Sequence, residues 1–367
     1  MYKIENEGIL CGETAQSRVR CSSLPYKKHC IWGGFVRREI TIYDIAKIAD
    51  VSPSTVSRVI NNRPNVKAAT RRRIMALLEQ YDYTPNETAR SLVTQSSRMI
   101  GILISDIRTT HHTDGIFYLQ RALSEQGYSC LIYNTGMDPA EQARYIQAIE
   151  QRKVDAAVFM GSIYQTDHVK EAICRYLPST PVFICNGYLD LPNVYGIIAD
   201  ERDGVADCVK LLAGKGRRDV AFIVDRDTPS NRLKQAGYEE GVASCCGGRA
   251  PVVIRSGPTT EDAYRAIQEL LRAHPETNGI ICSEDLLAVI GIRALVEMGV
   301  RIPDDVSVIG INNSRYTELC TPTLTSLDNM LYDLSLTIVE DVSSVLQGKY
   351  ISKKVMIYSK IVERQST

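Results

Sequence analysis

Among 367 residues there is no Cys-x-x-Cys pair, no net charge, a single tryptophan and no apolar run long enough to span a membrane. Each absence excludes something. Eleven cysteines, an odd number without metal-ligand spacing, speak against a zinc site and against a secreted disulfide framework, and they read as reduced, mostly buried thiols, the adjacent Cys245-Cys246 included. A chain lacking roughly 20 consecutive apolar residues offers no transmembrane helix. No charged, apolar and small-residue signal opens it, so the expected location is the cytoplasm. Catalytic patterns are missing too. There is no Gly-x-Ser-x-Gly elbow and no His-Glu-x-x-His, and the first strand runs into Ser105-Asp106-Ile107-Arg108 rather than a glycine loop for phosphate. His111-His112 is the only adjacent histidine pair; neighbours in sequence rarely chelate one metal, and a surface or ligand-lining role fits them better. No enzyme activity, cofactor or metal is expected.

What is present is concentrated in residues 41–61. Ile42, Ile45, Ala46 and Ala49 fall at helical spacing, and Val56, Val59 and Ile60 repeat the pattern after a short break, so two helices bury one seam. Ser52-Pro53 is a start signal: the hydroxyl can cap free amides, and proline at the first helical position gives up only an unbonded N–H. The second helix, beginning near Pro53, turns Pro53, Ser54, Thr55, Ser57, Arg58 and Asn61 outward, residue types that reach bases and phosphates in a major groove. That is a helix-turn-helix layout, although a capped helix in any α domain would share these local features. A third helix from about Ala69 to Gln80, with Ile74, Leu77 and Leu78 inward, closes a three-helix core. From Ile40 to Arg98 nine basic side chains face five acidic ones, a local +4 within a neutral chain, as expected where one domain touches phosphate. Arg71-Arg72-Arg73 reads equally as part of that footprint or as a solvated helix face.

From Met99 onward short apolar runs alternate with helical stretches, the pattern of βαβ units in parallel sheets. Strands are expected at Met99–Ile104, Cys130–Tyr133, Val154–Met160, Val182–Cys185, Val220–Val224, Val252–Ile254, Gly279–Cys282 and Val306–Ile311. The polar excursion Asn186–Tyr195 suggests two sheets rather than one.

Ile-Thr-Ile-Tyr-Asp-Ile-Ala (40–46), Val-Ser-Pro-Ser-Thr-Val-Ser-Arg-Val-Ile-Asn (51–61), Tyr-Thr-Pro-Asn-Glu-Thr-Ala-Arg-Ser-Leu (83–92) and Val-Glu-Arg-Gln-Ser-Thr (362–367) resemble the ordered signatures of the lactose-repressor family of bacterial transcription regulators. The resemblance implies an α/β protein with an N-terminal all-α helix-turn-helix head, a hinge helix and a two-lobed effector domain like the periplasmic sugar-binding proteins. The implied division is an unassigned extension at 1–39, the DNA-binding domain at 40–84, hinge and linker at 85–97, and the effector-binding and dimerisation domain at 98–367. Crossovers between lobes are expected near 196–200, 312–316 and 324–329. For the extension, the guanine-rich codons behind Trp32-Gly33-Gly34 and a GTG-encodable Val36 suggest a start near Val36; a basic arm through Arg18, Arg20, Lys27, Lys28, Arg37 and Arg38 is the alternative. One departure is Asp50, where the family usually has glycine, and aspartate tolerates the left-handed backbone better than most residues.

By the same resemblance Pro53, Ser54 and Arg58 are base-reading, with Thr55 as a further reader. Thr41 and Tyr43 lie near phosphates, Ser57 and Asn61 beside the backbone. Ala89 and Leu92 belong to the hinge, where the leucine wedges into the minor groove of a pseudo-palindromic operator, which requires a homodimer. The small-molecule site maps to Asp106, His111, Asn186, Lys234 and Asp285. Lys234 replaces an arginine and Asn186 an aspartate, which suggests neutral sugars first and sugar acids or phosphates close behind. The implied function is a ligand-responsive repressor of a carbohydrate-use operon. A sugar-binding transport protein is the runner-up, and an α/β enzyme with a DNA head would need catalytic groups the sequence does not offer.

Overall fold

A computed structural model of the chain describes residues 40–60, 63–83, 96–257 and 259–367. Two compact units divide at Asn86/Glu87. In the first, α1 (Ile42–Ile48), α2 (Pro53–Ile60) and α3 (Ala68–Gln80) enclose a small core centred on Ile45, Val56 and Ile74, with Ala46, Ala49 and Val59 buried around them. These are the seam residues that the helical spacing predicts. The start of α1 is fixed by a reciprocal cap: the Asp44 carboxylate accepts from the Thr41 amide at 2.9 Å, and the Thr41 hydroxyl accepts from the Asp44 amide at 3.3 Å. Ser52 Oγ accepts from the Thr55 amide at 3.3 Å at the start of α2. Between these helices Asp50 adopts φ 52°, so the left-handed turn is kept without glycine.

The second unit holds two six-stranded sheets. One has the order β11-β5-β4-β3-β1-β2 and the other β12-β10-β9-β8-β6-β7. The strands of the first lobe are β1 (Met99–Ile104), β2 (Ser129–Asn134), β3 (Ala156–Met160), β4 (Val182–Cys185), β5 (Val194–Asp200) and β11 (Lys354–Tyr358), all parallel. On one face lie α4 (Thr110–Glu125) and α12 (Leu331–Leu346), on the other α5 (Pro139–Gln151) and α6 (Asp167–Tyr176). The second lobe comprises β6 (Val220–Val224), β7 (Val252–Arg255), β8 (Gly279–Cys282), β9 (Ser307–Ile311), β10 (Thr325–Asp328) and β12 (Lys360–Val362), the last antiparallel to β10. Its faces are covered by α7 (Glu201–Gly214) with α8 (Pro229–Cys245), and by α9 (Thr260–Ala273) with α10 (Asp285–Glu297); α11 (Tyr316–Leu319) is a single turn. Helices on both faces explain why the central strands are continuous apolar runs.

The chain passes between lobes at Asp200/Glu201, between β10 and α12, and at Ser359 between β11 and β12. Two of these crossings match the expectation. The crossover expected at 312–316 does not occur: that segment stays in the second lobe, leading from β9 into α11. The true third crossing lies in a stretch whose strands carry little local signal, an exposed edge strand and a three-residue strand. At the middle crossing Met330 takes a left-handed φ of 57°, its amide held by Asp328 Oδ1 at 2.7 Å. The closing segment is packed rather than loose: Ser366 Oγ donates to the Val308 carbonyl at 2.6 Å and accepts from the Thr325 amide at 2.8 Å. The linker's last residues are also anchored, since Asp155 accepts from Ser96 Oγ at 2.5 Å and from the Ser97 amide at 2.8 Å. All eight described cysteines are free, four of them buried and one, Cys174, exposed.

Candidate DNA-reading face and effector cleft

Because Val56 and Val59 point into the core, α2 presents Pro53, Ser54 and Arg58 to solvent, with Thr55 and Ser57 half-buried. The Arg58 guanidinium has no hydrogen-bond or ion-pair partner among the described residues. Thr55 Oγ1 and Ser54 Oγ each lie within 2.9 Å of Ser52 Oγ, so both hydroxyls are already organised around the cap. Tyr43 is 71% exposed beside the capping Thr41. The arginine run on α3 divides: Arg71 Nη2 donates to the Arg63 carbonyl at 2.6 Å and Arg73 Nη2 to the Ile48 carbonyl at 3.3 Å, at the C-terminal end of α1. Those two stitch the head together, and Arg72 is left exposed. Asn61, Ala89 and Leu92, like residues 1–39 and most of the hinge, lie outside the described residues.

Between the lobes of the second unit lies a cavity of about 120 Å³. The ends of β1, β3, β4, β6 and β8 and the starts of α4 and α8 frame it, the usual ligand position for open α/β sheets. Its lining is polar, dominated by serine, threonine and asparagine, with Met137 and Ile163 as the apolar members. His111 and Asn186 line it as expected. Burial, reinforced by His112 and Lys234, pushes the His111 imidazole down to about 3, so it is neutral. His112 is also held below its usual range by burial, and its Nδ1 lies 2.9 Å from the Asp106 carbonyl. Asn186 sits at φ 58° and its Oδ1 accepts from the Ala199 amide at 3.2 Å, leaving its amide nitrogen for a ligand.

Three expectations are revised. Asp106 stands at the rim, not in the lining, and its carboxylate is claimed by Arg108 at 2.7 Å, which holds it down at about 2. Lys234 lines the cavity but is paired with Glu201 at 3.3 Å and donates to the Ser283 carbonyl at 3.1 Å, so it is no free positive charge. Asp285 lies behind the wall, 1% exposed. Its Oδ2 accepts from the Ser314 amide and its Oδ1 from Ser326 Oγ, each at 2.6 Å, tying α10 to the loop after β9 and to β10. Both oxygens are thus occupied, and burial lifts the carboxyl to about 6. Gly310 makes room for it, since a Cβ there would fall 2.3 Å from Asp285 Oδ1. The wall position is taken instead by the preceding residue, Glu284, and Asp225, Arg226, Glu201 and Asn329 are further lining residues that sequence reading missed. They come from four separate segments, and only the fold gathers them.

Two contacts span the lobes beside the cavity. The Ser230 amide, in the first turn of α8, donates to Ser162 Oγ of the first lobe at 3.0 Å, and Arg315 pairs with Asp114 at 2.7 Å.

The head matches the model of the lacI family of bacterial regulatory proteins over residues 41–86, and residues 209–367 match a periplasmic binding protein-like domain. An HTH-type transcriptional regulator of Lachnoclostridium phytofermentans is 30% identical over 331 residues, spanning 89% of this chain and 99% of the relative. The chain belongs to the lacI family of bacterial regulatory proteins. This lacI-family chain is also 28% identical to the ribose operon repressor of Halalkalibacterium halodurans, over 89% of its own length and 97% of that protein. In fold it resembles the lac repressor dimer bound to operator and the anti-inducer ONPF, with TM-score 0.81, 20% identity and coverage of 90% and 99% of the two chains. It is a ligand-responsive, DNA-binding transcriptional regulator, and the transport alternative falls with that assignment. No helix among the described residues is long and apolar enough to cross a membrane.

Proposed function

We propose that this regulator is a cytoplasmic, homodimeric repressor of a carbohydrate-use operon. Two copies of α2 read a pseudo-palindromic operator, Arg58 supplying the main base contact with Pro53, Ser54 and Thr55. Thr41, Tyr43, Ser57 and Asn61 approach the backbone, and Leu92 and Ala89 enter the minor groove at the operator centre. A sugar or sugar derivative in the cleft, contacting His111, Asn186 and the Lys234–Glu201 pair, changes operator affinity by preferring one arrangement of the lobes. No chemical step is assigned to the cleft. The observation that carries this reading is one chain holding both a capped, outward-facing arginine helix and a polar cleft whose lobes touch through Ser162–Ser230 and Asp114–Arg315.

The test is selection of operator sequences from random duplex followed by footprinting. The wild type should enrich a two-fold symmetric site. Arg58→Ala should lose about 1–3 kcal/mol of discrimination at one base pair per half-site while keeping salt-sensitive nonspecific binding. Equal affinity of the wild type for selected and random DNA would refute the reading.

A further inference from the structure

The charges lining the cleft do not cancel. Glu201 is matched by Lys234 at 3.3 Å. Arg226 is matched by Asp225, its Nε donating to Oδ2 at 2.5 Å. That leaves Glu284, whose carboxylate makes no hydrogen bond among the described residues and reaches only the already engaged Arg226, at 3.8 Å. The rim adds nothing, because Asp106 and Arg108 neutralise each other. Every cation lining the cleft among the described residues is therefore committed to a carboxylate, while one carboxylate is left over. A second lining residue holds a buried acceptor without a donor: Asn329 is 1% exposed, donates through Nδ2 to Asn312 Oδ1 at 2.9 Å, and its own Oδ1 has no partner among the described residues. A buried acceptor without a donor is destabilising, and a ligand that supplies the donor recovers that cost. His111 and His112, both uncharged, do not repel a cation.

We propose that the cleft selects a polyhydroxylated ligand bearing an ammonium group, an amino sugar being the simplest class, with Glu284 as its counter-ion, and turns away sugar phosphates and sugar acids. The proposal rests on the cleft being the effector site. An ammonium against Glu284 brings the lining to neutrality, whereas a phosphate meets an excess negative charge and no free guanidinium or ammonium. The serine, threonine and asparagine lining takes up the hydroxyls. Charge-assisted hydrogen bonds are about twice as strong as neutral ones, so the charged end decides between ligands of one shape.

The experiment is calorimetry on the full chain with the gluco, galacto and manno hexoses, each as the free sugar, the 2-amino sugar, the 6-phosphate and the aldonate. At least one amino sugar should bind tenfold or more tighter than its hydroxyl counterpart. Glu284→Gln should erase that difference, and an unchanged melting temperature of the variant reports an intact fold. Binding of no amino sugar, amino sugars no tighter than their parents, or a phosphate or aldonate preferred over both would overturn the proposal. A ligand lost in Asn186→Leu but indifferent to Glu284→Gln would overturn the ammonium preference and keep the cleft as effector site. Indifference to both substitutions would overturn both.

Discussion

Replacing Lys234 with methionine separates a structural role for this lysine from a ligand-facing one. Its Nζ lies 3.3 Å from Glu201 and 3.1 Å from the Ser283 carbonyl, and the two charged side chains are only 6% and 1% exposed. Solvent screening is therefore small. Coulomb attraction at that distance is about 5 kcal/mol at an effective dielectric of 20, and breaking a buried pair by removing one partner costs roughly 3–5 kcal/mol. Methionine fills most of the lysine volume, so a cavity adds little. Glu201 keeps one donor, Ser230 Oγ at 2.5 Å, and can draw water from the cleft. The expected loss is about 3 kcal/mol without ligand, seen as a fall of roughly 6–12 °C in the melting of the effector domain. Adding Glu201→Gln should return about 2 kcal/mol, because the charge left behind is then gone. Scanning calorimetry and urea unfolding of the two single variants and the double variant measure all three values. A melting shift under about 2 °C for Lys234→Met, or strict additivity in the double variant, would refute a buried pair as the lysine's main role.

Asp285 should set part of the pH dependence. Its carboxyl titrates near 6 in the folded protein against 3.8 unexposed to that environment, so its contribution to stability is full below about pH 4 and lost as pH rises through 6. Wild type should consequently gain about 2–3 kcal/mol on Asp285→Asn between pH 7 and pH 4, and a difference flat across that range in thermal melts would contradict the burial argument. Gly237 lies where α8 meets α7, and a Cβ there would fall 2.0 Å from the Arg202 carbonyl oxygen, so Gly237→Ala must push two helices apart. A loss of about 3 kcal/mol in urea unfolding is expected, and a variant within 0.5 kcal/mol of wild type would show that the helices yield freely.

The helix-turn-helix was legible because its signals are local. A hydroxyl, a proline and apolar residues three and four apart fix where α1 and α2 begin and which sides they bury, and Asp50 turns as its chemistry allows. Most central strands were legible for a related reason, since covered on both faces they must be unbroken apolar runs; β5 was not expected, because Tyr195 and Gly196 interrupt its apolar pattern and it ends on Asp200. β10 was not, because Thr325 and Ser326 are wholly buried yet polar, satisfied by Ser366 and Asp285 from 41 residues away in either direction of the chain. β11 alternates at a sheet edge, half exposed, and β12 is three residues long, so the third crossover at Ser359 left no trace in local pattern. The cleft divides in the same way. Sequence matching placed His111 and Asn186 at its wall but could not tell Asp285 from Glu284, adjacent residues of like charge. Only the packing of α10 against β10 turns one carboxylate inward to two donors and leaves the other facing the cavity, because which side of a helix start is buried depends on a strand that arrives forty residues later.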